Sequence, residues 1–267
     1  MSGPEFHIEA LVTVKAYPQP SKTYGETVCV AGARLDTEEP EWCRLYPVDL
    51  RGLPRQAQFR KYDVIRCTVR RPRSDTRPES LCPIRGTIRR VGSVGGWLER
   101  ARYLEPLRVA SMCELKALQR LQGTSLGLFR PGEVTDFHVE AADPWDEGRL
   151  CALNQGSLFG ERPQRPLEQI PYKFSLSYIC DDANCSGHRM LLIDWEAGEL
   201  FRKTAGRPEE ARLRLVRERW LDLVCGPRRD PQFFAGSIHK HPTSFVLLGV
   251  FWPPKLIAAE PAVLTLF

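Results

Sequence analysis

Tyr172-Lys-Phe-Ser-Leu-Ser-Tyr-Ile-Cys-Asp-Asp-Ala-Asn-Cys-Ser-Gly-His-Arg-Met-Leu-Leu-Ile-Asp-Trp195 is a strand, a loop and a second strand. Tyr172 to Ile179 alternate as a strand that leads directly into Cys180, and residues 189 to 195 leave as another. The loop at the tip, Cys180 to His188, holds two cysteines five positions apart and a histidine three further on. Gly187 permits the backbone angles of a tight turn, and Asp181, Asp182 and Asn184 are turn formers. Thiolate and imidazole suit Zn2+, and thiolates also suit a 4Fe-4S iron–sulfur cluster. The spacing has no second Cys-x-x-Cys, which would have made the zinc signature stronger. A polar hairpin with two incidental cysteines is the competing reading.

A metal held by Cys180, Cys185 and His188 needs a fourth ligand, and Cys113 is the leading one. Ser111-Met-Cys-Glu114 has the form of a capping box, with Ser111 as N-cap and Glu114 three residues on. The helix it starts is expected to reach about Gln122 and to bury Leu115, Leu118 and Leu121. Cys113 then sits in the first turn, where unpaired N–H groups and the helix dipole favour thiolate. Cys225, Cys151, His239 and Cys29 are reserves. The chain has nine cysteines and no apparent export signal, so the others are expected to be buried small hydrophobes, Cys43 and Cys67 among them.

The expected fold class is α+β. A small N-terminal β-barrel-like or curled sheet, residues 1–92, precedes a mixed α+β region, residues 97–267, that carries the metal-binding hairpin. The first half supplies short strands over 8–15, 27–35, 42–48, 62–70 and 83–91. Pro18 and Pro20 interrupt after the first, and Gly32 marks a bulge or a close backbone approach. Strands at this spacing suit a barrel of the oligonucleotide-binding kind. Gly92, Gly95 and Gly96 release the chain into a helix over 97–107.

Of the 38 basic residues, 30 are Arg and eight are Lys, and the formal net charge is +5. Arg44, Tyr46, Arg60, Lys61, Arg70 and Arg71 mix cations with aromatics in the first half. They form a candidate nucleic-acid surface on which phosphates pair and bases stack. A solvated basic face over core tyrosines explains the same residues equally well. Asp75 to Ser80 is expected to be a salt-bridged turn.

Further on, Gly123 to Gly127 suggest a turn, and a strand over 133–140 holds a structural His138. A short helix over 145–155 and an extended connector over 162–171 follow. Asp194 and Glu196 would share one face of a strand, as Mg2+-binding carboxylates of restriction-type nucleases do, yet no lysine follows at short spacing. Pro208 to Val224 is the clearest helix, with Leu213, Val216, Trp220 and Leu223 as its buried stripe. A loop over 228–243 holds His239 and His241, and strands are expected over 245–252 and 262–267.

Several segments resemble an uncharacterised bacterial family with a Cys-x4-Cys-x2-His motif. They are Lys15 to Pro18, Tyr24 to Cys29, Arg44 to Val48, Asp75 to Ser80, Cys180 to His188 with Asp194 to Glu196, and Gly249 to Pro254. The resemblance implies no activity and transfers no catalytic residues.

An apolar fraction of 42% and a charged fraction of 27% are those of an ordinary globular protein. With no apolar run of membrane-spanning length and no signal-peptide pattern, a cytoplasmic protein without a membrane partner is expected. The first functional reading is a metal- or iron–sulfur-binding protein that binds or acts on DNA or RNA. The alternatives are an enzyme using an open metal or cluster site on a small molecule, and a zinc-stapled interaction module without catalysis. No pattern names a catalytic residue, a substrate or an oligomeric state.

Overall fold

The computed structural model describes residues 3–21, 25–154 and 167–255. It is α+β, with 22% helix and 41% strand. The first sheet contains β1 (Glu5–Lys15), β2 (Gln19–Ser21), β3 (Gly25–Arg34), β4 (Glu41–Val48), β5 (Asp63–Arg70), β6 (Ser80–Pro83) and β7 (Arg89–Ser93). Neighbours follow the order β1-β3-β4-β6-β5, and β5 pairs back onto β1, closing a five-stranded barrel. Closure removes the exposed edges that an open sheet presents.

The period of two decides what fills the barrel. Ile8, Ala10 and Val12 of β1 point inward with Val28 and Val30 of β3, Cys43 and Leu45 of β4, and Ile65, Cys67 and Val69 of β5. Cys43 and Cys67 are thus buried hydrophobes, 1% and 2% exposed. Gly32 is a close approach: a Cβ there would lie 2.2 Å from the Leu11 carbonyl oxygen. The single strand expected over 83–91 is two, β6 and β7, because the chain turns at Gly86, whose φ is +75°.

Next come α1 (Trp97–Leu104), a 3-10 turn (Glu105–Leu107) and α2 (Met112–Gln122). Then follow β8 (Leu126–Phe129), β9 (Glu133–Ala141), α3 (Glu147–Asn154), β10 (Tyr172–Ile179), β11 (His188–Leu192), α4 (Trp195–Lys203) and α5 (Glu209–Arg217). A π-helical segment (Glu218–Val224), β12 (Gln232–Ile238) and β13 (His241–Phe251) complete the described chain. The second sheet has six strands in the order β8-β12-β13-β11-β10-β9, antiparallel except where β11 meets β13. The expected 262–267 strand lies outside the described residues, as do residues 162–166 of the connector and the last residue of the 145–155 helix.

Strands β8, β12 and the latter part of β13 are buried on both faces. Phe233, Leu247 and Val250 pack with Met112 and Leu115 of α2, Phe201 of α4, and Val216 and Trp220 beyond it. Phe234, Val246, Leu248 and Phe251 face the other way, against Val14 and Ala31 of the barrel. That explains why β13 has an unbroken apolar run where a one-sided strand would alternate. The barrel and sheet are also joined by polar contacts, including Tyr17 N donating to Ile193 O at 2.8 Å.

Several sequence expectations change for physical reasons. Leu121 is 82% exposed because packing onto the core comes from the first turns of α2, through Met112 and Leu115. The 208–224 helix is α5 running into the π-helical segment, whose wider turn rotates the stripe, so Val224 is buried (1%) and Leu223 is 43% exposed. The 228–243 loop is largely the β12–β13 hairpin. No helix among the described residues is long and apolar enough to cross a membrane.

Candidate metal centre

β10 ends one residue before Cys180, which is buried, and β11 begins at His188, with Tyr178 paired opposite it. The intervening turn is held locally: Asn184 N donates to Asp182 Oδ1 at 2.9 Å, Cys185 N donates to Asp182 O at 2.9 Å, and Gly187 adopts φ +92°. The Tyr178 ring lies 5.1 Å from that of His188, and a Cβ on Gly132 would meet Asp181 N at 2.8 Å. The ligand loop is therefore a packed hairpin tip.

α2 brings the distant cysteine. Ser111 Oγ accepts from Glu114 N at 3.1 Å, and Glu114 Oε2 accepts from Ala110 N, one residue earlier than a strict capping box requires. Cys113 Sγ lies 3.4 Å from His188 Nε2, and Cys185 Sγ lies 3.4 Å from the same nitrogen. One ligand atom from each of Cys113, Cys180, Cys185 and His188 falls within 4.8 Å of the others, a group that can hold a metal ion. Cys29, Cys151, Cys225 and His239 lie outside it: Cys225 packs against the core, and His239 Nε2 is 2.7 Å from Ser74 O.

The electrostatics of the group explain what an ion would do there. N–H groups of Cys180 and Gly187 point at Cys185 Sγ, at 3.3 and 3.4 Å, and lower the Cys185 pKa. Burial, together with the neighbouring thiols, pushes Cys113 up to about 12, and burial raises Cys180. Desolvation and the Lys116 ammonium, 3.3 Å from Nδ1, lower His188 and keep its imidazole neutral, the ligating form. Three thiolates this close repel one another, and a divalent cation reverses that cost.

The candidate nucleic-acid residues do not form one surface. Arg44 is buried, donating through Nη1 to Ser125 Oγ (2.7 Å) and through Nη2 to Ser125 O (2.9 Å). Lys61 is also inside: its Nζ lies 2.6 Å from Asp194 Oδ2 and 3.5 Å from Glu196 Oε2. Both point out of the barrel, but the second sheet covers that side, so outward there does not mean solvent. Tyr46, Arg60 and Arg71 are exposed and Arg70 is half-buried. Arg66 and Arg89, paired across β5 and β7, are exposed as well. The alternation Ile65-Arg66-Cys67 already carried that signal for Arg66.

Asp194 and Glu196 are not on a strand. Asp194 caps α4, its Oδ1 accepting from Glu196 N at 2.9 Å, and its side chain has no exposure. Burial raises its pKa, and Lys61 opposes that shift. Asp75 and Arg77 do form the expected salt-bridged turn, 2.6 Å apart.

Residues 108–266, more than half of the chain, match the family model described as domain of unknown function DUF8757. The chain belongs to that family. The DUF8757 match covers the whole Cys/His group, and residues 7–106 match a second domain of unknown function, DUF8758, which covers the barrel strands. No curated protein matches the chain. Among solved structures, the Ifi202 HINa domain in complex with 20bp dsDNA is similar at 10% identity and a TM-score of 0.32, over 94% of this chain and 95% of that one.

Proposed function

We propose that Cys113, Cys180, Cys185 and His188 hold one zinc ion in a closed structural site, in a cytoplasmic protein that binds nucleic acid through its barrel. The observation that carries the metal reading is the compactness of the four ligand atoms, all within 4.8 Å. In a zinc tetrahedron with Zn–S near 2.3 Å and Zn–N near 2.0 Å, sulfur and nitrogen ligands are about 3.6 Å apart. The 3.4 Å separations from His188 Nε2 to Cys113 Sγ and Cys185 Sγ are close to that edge. An iron–sulfur cluster places a cage of iron and sulfide among its ligands and spreads them further, so this spacing favours a single ion. Four protein ligands also complete zinc's preferred coordination, which favours a staple over an open catalytic position.

The nucleic-acid reading is supported by the exposed arginines of the barrel. Arg66 and Arg89 are direct cross-strand partners that place two guanidinium groups on one exposed face, with Arg66 also paired to Glu9 at 2.7 Å. Arg71, Arg73 and Arg85 add exposed cations in the same half of the chain.

Elemental analysis of freshly purified protein tests the metal: one zinc per chain, with no visible cluster absorption, is expected. Stoichiometric iron would replace zinc by a cluster, and neither metal in folded protein would remove the site. Duplex oligonucleotide binding that weakens steeply with salt tests the surface; no binding at low salt would remove it.

A further inference from the structure

We propose that the cleft between the barrel and the second sheet receives a single unstacked nucleobase together with its sugar and phosphate. This deepens the nucleic-acid reading above, which supplies the polymer that would carry such a base. The cleft has a volume of about 1020 Å³, at the upper end of the roughly 300–1,000 Å³ usual for small-molecule sites.

Its walls have the chemistry that a base needs. Five aromatic residues line it from four separate stretches: Tyr17 after β1, Tyr46 in β4, Trp145 before α3, and Tyr172 and Phe174 in β10. Tyr46 is 40% exposed, so a large ring stands on the cleft wall rather than in a core. Any base offers a π-face to such rings, and each stacked base is worth on the order of tenfold in affinity. The exposed amide of Gln19, also on the lining, offers a donor and an acceptor to a base edge. The exposed Lys240 provides a cation for a phosphate, while Lys173, also on the lining, is paired to Asp143 at 2.9 Å. Base-edge hydrogen bonding, stacking and a phosphate contact together are how unpaired nucleotides are recognised.

The occupant is either a free nucleotide or a base presented by a strand, and calorimetric titrations separate the two. The probes are the four nucleoside monophosphates and their nucleosides, a short single-stranded oligonucleotide, the same strand with an abasic position, and a fully paired duplex. Wild-type protein is expected to bind the monophosphates, the intact strand or both, and to lose tenfold or more when the base is removed. Tyr46→Leu should cost about tenfold for whichever probe binds, and Lys240→Ala should weaken a monophosphate but not its nucleoside. Binding of the monophosphate alone assigns the cleft to a free nucleotide, and binding of the strand alone to a presented base. Equal affinity for intact and abasic strands with no monophosphate binding would overturn the proposal. So would unchanged binding in both variants, each melting like wild type. Duplex binding with no base dependence would overturn the cleft and leave the barrel surface standing; monophosphate binding without duplex binding would do the reverse.

Discussion

Lys61 of the barrel and Asp194 at the start of α4 lie 2.6 Å apart with side chains 9% and 0% exposed, although 133 positions separate them in the chain. Burial alone would lower the lysine's pKa, but the Asp194 and Glu196 carboxylates reverse this and leave it raised. The two charges therefore depend on one another inside the protein, and the pair connects the barrel to the helix that follows β11. Breaking such a pair leaves one charge buried without its partner, a loss of roughly 3–5 kcal/mol.

Lys61→Met should accordingly destabilise the protein by about 3 kcal/mol near neutral pH, and the loss should shrink on acidification. The sign follows from Asp194, whose folded-state pKa is already raised by burial and rises further without the lysine. A carboxylate with a raised folded pKa takes up a proton in the folded state first, so stability increases as pH falls through that value. Denaturant melts of the variant at pH 8 and pH 5 check it; an equal deficit at both would mean that Asp194 is not the uncompensated charge.

Removing the proposed zinc should lower the melting temperature substantially. A ligand present at a thousand times its dissociation constant stabilises by about 4 kcal/mol, or roughly 8 °C or more for a chain of this size. Cys180→Ser and Cys113→Ser should each reproduce the effect of a chelator and abolish any further response to it. Ser111→Ala, which loses the cap that seats Cys113, should cost only about 1 kcal/mol. Thermal melts with and without chelator distinguish these cases.

Two glycines should respond oppositely in size. Gly32→Ala forces a Cβ to within 2.2 Å of the Leu11 carbonyl oxygen, so β1 and β3 must separate and the barrel should lose several kcal/mol. Gly86 has φ +75° with nothing within 4 Å of its Cβ position. Gly86→Ala should therefore cost only the backbone strain, about 1–2 kcal/mol. Equal losses in denaturant melts would contradict the close approach of the two strands.

On the barrel surface, Arg66→Ala and Arg89→Ala should each reduce the salt dependence of duplex binding by about one ion and leave the melting temperature nearly unchanged. Arg44→Ala should do the opposite, since its guanidinium is spent on Ser125: the protein loses stability, and what remains folded keeps its salt slope. Fluorescence anisotropy at several salt concentrations gives the slopes.

Local pattern was enough for much of this protein. The alternation in residues 62–70 belongs to β5, the Ser111 cap starts α2, and Cys180, Cys185 and His188 meet because the eight residues between β10 and β11 leave them little room to part. Cys113 was also visible as a thiol in a first helical turn, and the fold brings it within 3.4 Å of His188. What period and spacing do not contain is which outward face another layer will cover. Arg44 has the alternation of a solvent-facing strand residue and Lys61 sits in a polar turn before β5, and only the seating of the second sheet against the barrel buried Arg44 on Ser125 and Lys61 on Asp194. The same layer buries both faces of the latter part of β13. Strand and cap signals arise from neighbours within a few residues, so the amino-acid sequence determines them directly; burial of a face depends on partners 81 positions away for Arg44 and 133 for Lys61, and that the tertiary structure alone decided.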